Sequence, residues 1–156
     1  MKHIPGTSAP PRRAAGVTLI ELVITLAILG ILATVSYASY SNYILKANRS
    51  VAKSALLDAA TRQERFYASN RRYTTSMSEL GYPTSPTCFG KDGSPLTSCS
   101  VAGNIYSVRT EDSCDGGPLP CFKVTATPFN MQNSDTCGTF RIFSTNVRDA
   151  ATSGCW

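Results

Sequence analysis

The nineteen residues from Val17 to Val35 carry one charge, Glu21, and are dominated by leucine, isoleucine and valine. As a helix, such a run rises about 28 Å, close to the hydrocarbon thickness of a bilayer. That length and density argue against a helix buried in a soluble core. Ahead of the run stands a polar leader, residues 1–16, with Lys2, Arg12, Arg13, three prolines and no acid. A secretory signal peptide places its apolar region before the cleavage site. Here the apolar region follows Gly16, so a cut at Gly16 leaves it on the mature chain.

Six cysteines, Cys88, Cys99, Cys114, Cys121, Cys137 and Cys155, all lie in the second half of the 156-residue chain. An even number in a Gly/Ser/Thr-rich region predicts disulfides in an oxidising compartment, with connectivity left open. A zinc site is disfavoured: the cysteines lack close C-x₂₋₄-C spacing, and the sole histidine, His3, is in the leader. Basic residues on both sides of the span, Arg12 and Arg13 before it and Lys46, Arg49 and Lys53 after it, nearly balance the positive-inside rule. The cysteines decide the orientation, with the leader cytoplasmic and the remainder on the periplasmic or outer side. The net charge is +5, and without the leader 12 basic residues face 10 acidic ones. Basicity this mild does not itself argue for nucleic acid.

No proline occurs between Arg13 and Tyr82, and Gly30 is the only glycine from Val17 to Leu80. One helix is therefore predicted from about Thr18 to about Ser69. Its first half is apolar all round. Its second half carries a stripe of Leu45, Ala52, Leu56, Ala59 and Phe66, with Lys46, Arg49, Lys53, Arg62 and Arg65 mostly off that face. From Asn70 to about residue 103, prolines among Ser, Thr and Gly predict a long loop holding Cys88 and Cys99. Three strands follow, at Asn104–Thr110, Cys121–Thr127 and Thr139–Ser144, whose period-two alternation suggests a small antiparallel sheet with one buried face. The expected class is α+β, with the helix stripe packed on that face. The tail from Asn146 shows no clear periodicity. A Cys137–Cys155 bond would close a 19-residue loop and hold the terminus to the sheet, a stabilisation of about 3 kcal/mol.

Glu21 is the costly residue. An acid at the centre of a membrane span is unfavourable by roughly 2.5–3.5 kcal/mol, and by less near an end. Cleavage after Gly16 creates an α-amine at Val17, four residues before the acid. Such an amine, brought by a neighbouring subunit, would pair with Glu21 and set axial register. The plainer alternative is a snorkelling acid favoured by the helix dipole.

The sequence Gly16-Val17-Thr18-Leu19-Ile20-Glu21-Leu22 resembles the class III signal of type IV prepilins and pseudopilins. Arg72-Tyr73-Thr74 through Leu80-Gly81-Tyr82-Pro83, and the ending Asp135-Thr136-Cys137-Gly138-Thr139 with Gly154-Cys155-Trp156, resemble PilE-like minor pilins, a group that includes ComP-like DNA-uptake pilins. The resemblance implies the type IV pilin fold, cleavage after Gly16 by a prepilin peptidase, N-methylation of Val17 and a docking role for Glu21. Val17 itself stands where phenylalanine is usual.

The expected organisation is a leader at 1–16, a transmembrane and filament-core helix at 17–44, and a periplasmic or extracellular globular domain at 45–156. Leu19, Ile20, Leu22, Ile24, Leu26, Ile28, Leu29 and Ile31 supply the core helix surface. Expected partners are other pilin subunits, the inner membrane, the peptidase and the assembly machinery, with the filament as final location. A second reading is a DNA receptor using Arg71, Arg72, Lys91, Arg109, Lys123, Arg141 and Arg148 as a patch, with Tyr73 or Tyr106 alongside. A pseudopilin of type II secretion is a third, disfavoured by the six cysteines and the Trp156 ending. No enzymatic activity, cofactor or metal is expected. Beyond the leader there is no histidine, P-loop or Gly-rich dinucleotide turn.

Overall fold

The computed structural model describes residues 16–100, 103–112 and 120–156. The leader up to residue 15 and Cys114 lie outside these. The chain divides into two units, Met1–Tyr40 and Ser41–Trp156. Helix α1, Leu19–Asn70, supplies residues to both. In the first unit every side chain that is described is exposed. α1 ends where Arg71 turns left-handed (φ 56°) and its N–H still bonds the Tyr67 carbonyl at 2.8 Å, a helix C-terminus of the αL kind.

In the second unit the sheet is antiparallel, in the order β2-β1-β3-β4-β5-β6. Its strands are β1 (Thr87–Gly90), β2 (Pro95–Leu96), β3 (Asn104–Glu111), β4 (Lys123–Pro128), β5 (Phe140–Phe143) and β6 (Arg148–Ala150). Register pairs Val108 with Ala126, Thr110 with Val124, Ala126 with Phe140 and Val124 with Ile142. These residues form one buried face, and Ala52, Ala55, Leu56 and Ala59 of α1 share their core. Alanine at three of those four helix positions lets the sheet approach the helix closely, so the core is thin and rests on Tyr106, Phe122, Phe140 and Leu56 for volume.

The predicted loop between Asn70 and residue 103 is corrected. It contains a 3₁₀ turn, Ser78–Leu80, and the β1–β2 hairpin, closed by Gly90 N–H to Ser94 O at 3.1 Å with Gly93 at φ 78°. All four residues of β1 are buried, so no alternation marks it. The tail is corrected likewise: β6 pairs with β5, and Asn146 at φ 61° makes the turn between them. Three strands expected from alternation therefore become six.

Candidate functional site

Thr18 starts α1. Its Oγ1 accepts the Glu21 N–H at 3.3 Å and its carbonyl accepts the Leu22 N–H at 3.2 Å, which satisfies one of the partnerless first-turn donors. Glu21 thus lies in the first turn, where the helix dipole favours an anion. It is exposed, and among the described residues no cation of this chain pairs with it. Around and beyond it Leu19, Ile20, Leu22, Ile24, Leu26, Ile28, Leu29 and Ile31 are all more than half exposed. The most apolar window of the helix has a mean hydropathy of 2.4, and none of it is buried. Full burial of such a side chain contributes about 1.5–3 kcal/mol, so roughly 10 kcal/mol or more of apolar burial is left to something outside the chain.

The second unit holds its part of α1 through a polar cluster that sequence reasoning missed. Asn48 and Gln63 interrupt the apolar stripe, and both are buried. Asn48 Nδ2 donates to Gln132 Oε1 at 2.9 Å, and Gln132 Nε2 donates to the Leu45 carbonyl, to Tyr106 Oη and to Asp135 Oδ2 at 2.8–3.1 Å. Arg49 grips Asp135 with two nitrogens, at 2.6 and 2.9 Å. The Asp135 side chain is only 1% exposed. Burial pushes its carboxyl up, but the Arg49 hydrogen bonds, the Cys137 N–H, the Arg49 charge and Gln132 outweigh this and hold it below the usual carboxylate range. Burial, reinforced by the Asp135 charge, pushes the Tyr106 phenol up to about 12. Gln63 donates to the Thr74 carbonyl and to Thr110 Oγ1, both at 2.6 Å, and accepts the Thr74 N–H at 3.2 Å. A polar residue at a stripe position was the available signal for both anchors. The cations expected off the stripe also reach inward: Arg62 donates to the Leu80 carbonyl at 3.0 Å, and Lys53 lies 5.8 Å from the Trp156 ring centroid.

The seven basic residues do not form one patch. Arg71, Arg72 and Tyr73 line a cleft of about 410 Å³ with Asp112, Pro120 and Cys121. Arg72 lies over the Phe66 ring at 5.3 Å and 3.8 Å from Glu79. Arg109 and Lys123 sit on the outer face of the sheet, each 3.0 Å from Glu111, and Arg141 on that face is 2.9 Å from Asp149. Lys91 occupies the β1–β2 turn, and Arg148 lies over Trp156 at 5.7 Å. Tyr106 is fully buried because it belongs to the inward-facing set of β3, so its role in a surface patch is corrected. Tyr73 stacks on Tyr67 at 4.6 Å.

Two disulfides have described partners. Cys88–Cys99 joins β1 to the chain just past β2, with Cα atoms 5.2 Å apart. Cys137–Cys155, with Cα atoms 5.7 Å apart, ties the terminus to the segment that leads into β5. Cys121 is disulfide-bonded as well. The Trp156 indole N–H then donates to the Asp149 carbonyl on edge strand β6. Among the described residues no group of His, Cys, Asp and Glu is placed to hold a metal ion.

Comparison with known proteins places the chain. Residues 11–37 match the prokaryotic N-terminal methylation motif. The type IV major pilin protein PilA of Myxococcus xanthus is 36% identical over 70 residues, 45% of this chain and 32% of that one, so the match spans about a third of the relative's length. A solved type IV pilin from Shewanella oneidensis is 26% identical, over 72% of this chain and 97% of that one, with a TM-score of 0.45. Residues 38–141 match the profile of the family described as type IV minor pilin ComP, DNA uptake sequence receptor. A match over that much of the sequence means that the chain belongs to the ComP family of type IV minor pilins.

Proposed function

We propose that this protein is a minor pilin subunit, held in the inner membrane by residues 17–44 with its leader cytoplasmic and residues 45–156 periplasmic. It is cut after Gly16 by the prepilin peptidase, methylated at Val17, and joined to other pilin subunits through α1. The carrying observation is the exposed apolar surface of the first unit, none of whose described side chains is buried. Lipid and a bundle of neighbouring helices are similarly apolar, so the same surface serves both environments, and packing and polar pairing tip the transfer. Glu21, exposed in the first turn without an ion-pair partner among the described residues, is the group that pairs with an amine such as that of Val17. Glu21→Ala and Glu21→Lys should each lower incorporation into sheared filaments about tenfold, equivalent to about 1.4 kcal/mol of docking. The second unit stays folded. Normal incorporation of both variants would remove Glu21 from docking.

The family match supports a second reading, binding of DNA at the filament surface. Its candidate group is the Arg71–Arg72–Tyr73 cleft, where two adjacent cations and an aromatic ring share one surface. Filter binding of Ser41–Trp156 to duplex DNA across a salt series tests it. Each phosphate neutralised contributes a slope of about −0.9 in log K against log salt, so Arg71→Ala with Arg72→Ala should flatten the slope by close to 2. An unchanged slope rules out the cleft.

A further inference from the structure

An all-apolar helix does not specify its own depth in a bilayer. Sliding it by one turn, about 5.4 Å, exchanges leucine for leucine. Depth therefore has to be set by marked residues near the two ends of the span. Glu21 is one mark, because moving it towards the bilayer centre is opposed. The other lies at Tyr37 and Tyr40.

No aromatic residue occurs from Val17 to Ser36, after which tyrosines stand at 37, 40 and 43 among Ser36, Ser39, Ser41 and Asn42. Tyr37 is 78% exposed and Tyr40 65%, so neither ring belongs to a core among the described residues. Counted from Val17 at 1.5 Å per residue, Tyr37 comes at about 30 Å and Tyr40 at about 35 Å along the helix. A bilayer's hydrocarbon is about 30 Å thick and the headgroup layers add roughly 5–7 Å on each side, so from the same origin the outer headgroup layer runs from about 30 to about 37 Å. The first cation beyond, Lys46, comes at about 43 Å, in water past the headgroups. A tyrosine has an apolar ring and a hydroxyl that needs a polar partner, which suits the headgroup layer better than either hydrocarbon or water.

We propose that Tyr37 and Tyr40 are a lipid-headgroup anchor that, with Glu21, fixes the depth of α1 in the membrane before assembly. The proposal rests on the membrane-inserted state put forward above. Its consequence concerns processing: a fixed depth holds the Gly16–Val17 bond at a constant height relative to the bilayer surface, where a membrane-bound peptidase has to meet it. Without the tyrosines Glu21 alone would resist a slide, and only in the direction that carries it towards the bilayer centre.

The test uses the full chain with Trp156→Phe, so that a single introduced tryptophan reports, in phosphatidylethanolamine/phosphatidylglycerol vesicles at low protein content. Tyr37→Trp, Tyr40→Trp and, as a depth control, Leu26→Trp are quenched with nitroxide lipids labelled either at the headgroup or deep in the acyl chain. For Tyr37→Trp and Tyr40→Trp, headgroup quenching should exceed deep quenching by about twofold or more, and for Leu26→Trp the order should reverse. Equal or deeper quenching at Tyr37 and Tyr40, or none there, overturns the anchor while a deep-quenched Leu26→Trp leaves the membrane state standing. A Leu26→Trp reporter quenched by neither lipid overturns the membrane state and the anchor with it.

Discussion

Replacing Arg49 by methionine removes the guanidinium from Asp135 and keeps most of the aliphatic stem. The carboxylate left behind is almost wholly buried, and among the described residues the Gln132 amide and the Cys137 N–H are still bonded to it. Breaking a buried ion pair from one side is destabilising by about 3–5 kcal/mol. The Arg49 side chain is 21% exposed, so water reaches part of the vacated space, and a loss of about 2–3 kcal/mol is expected. For a domain of this size that lowers Tm by roughly 10–15 °C. Trp156, the only tryptophan, packs edge-on against Phe140 with ring centroids 6.0 Å apart, so its fluorescence follows unfolding of Ser41–Trp156. Asp135→Asn and the double variant complete a cycle whose coupling should be about 1–3 kcal/mol. The coupling also has a pH signature. The native Asp135 carboxyl is held below its ordinary range, so its contribution is complete above the unfolded-state value of roughly 4 and is lost as pH falls through the depressed native value. A loss under about 1 kcal/mol for Arg49→Met at neutral pH, or a coupling that survives full protonation, would refute the assignment of this pair as the clamp on α1.

Gln63→Leu conserves volume but strands the Thr74 N–H, the Thr74 carbonyl and the Thr110 hydroxyl; urea unfolding should show a loss of about 3 kcal/mol, against well under 1 for the exposed neighbour Glu64→Gln. Cys137→Ser with Cys155→Ser opens the C-terminal loop and should remove about 3 kcal/mol. Trp156 emission should shift to the red, because the ring loses its tether beside Phe140.

The long helix and the three alternating strands were legible because each follows one period for several turns or residues: 3.6 along the Ala52, Leu56 and Ala59 stripe, and 2 along Val124 and Ala126 or Phe140 and Ile142. Strand β1 follows neither, because all four of its residues are buried. β6 has three residues, too few to show a period. The polar clamp was hidden for a different reason. Asn48, Gln132 and Asp135 carry no pattern of their own and are joined only when chain segments 84 or more residues apart meet. At the amino end the residue types and spacing of Gly16, Thr18 and Glu21 stand in the sequence itself, and the structure adds the Thr18 cap and the exposure of the acid. The basic residues were legible as a set but not as a place. Register puts Lys123 beside Glu111 and Arg141 beside Asp149, while Arg109 meets Glu111 two residues along the same strand face.

The bond from Asn48 to Gln132 spans 84 residues of chain, and that span has a meaning in time. Chains are synthesised from the amino end at about 5–20 residues per second, so Gln132 follows Asn48 by roughly 4–17 s. During that interval the one-sided stripe of α1 has no complete sheet to lie on, because β5 and β6 are made only after Gln132. A newborn subunit therefore shows its neighbours a bare Ala52–Leu56–Ala59 face before it has a finished head. Any factor that keeps immature subunits apart would have to act in that interval and release them once the clamp has closed.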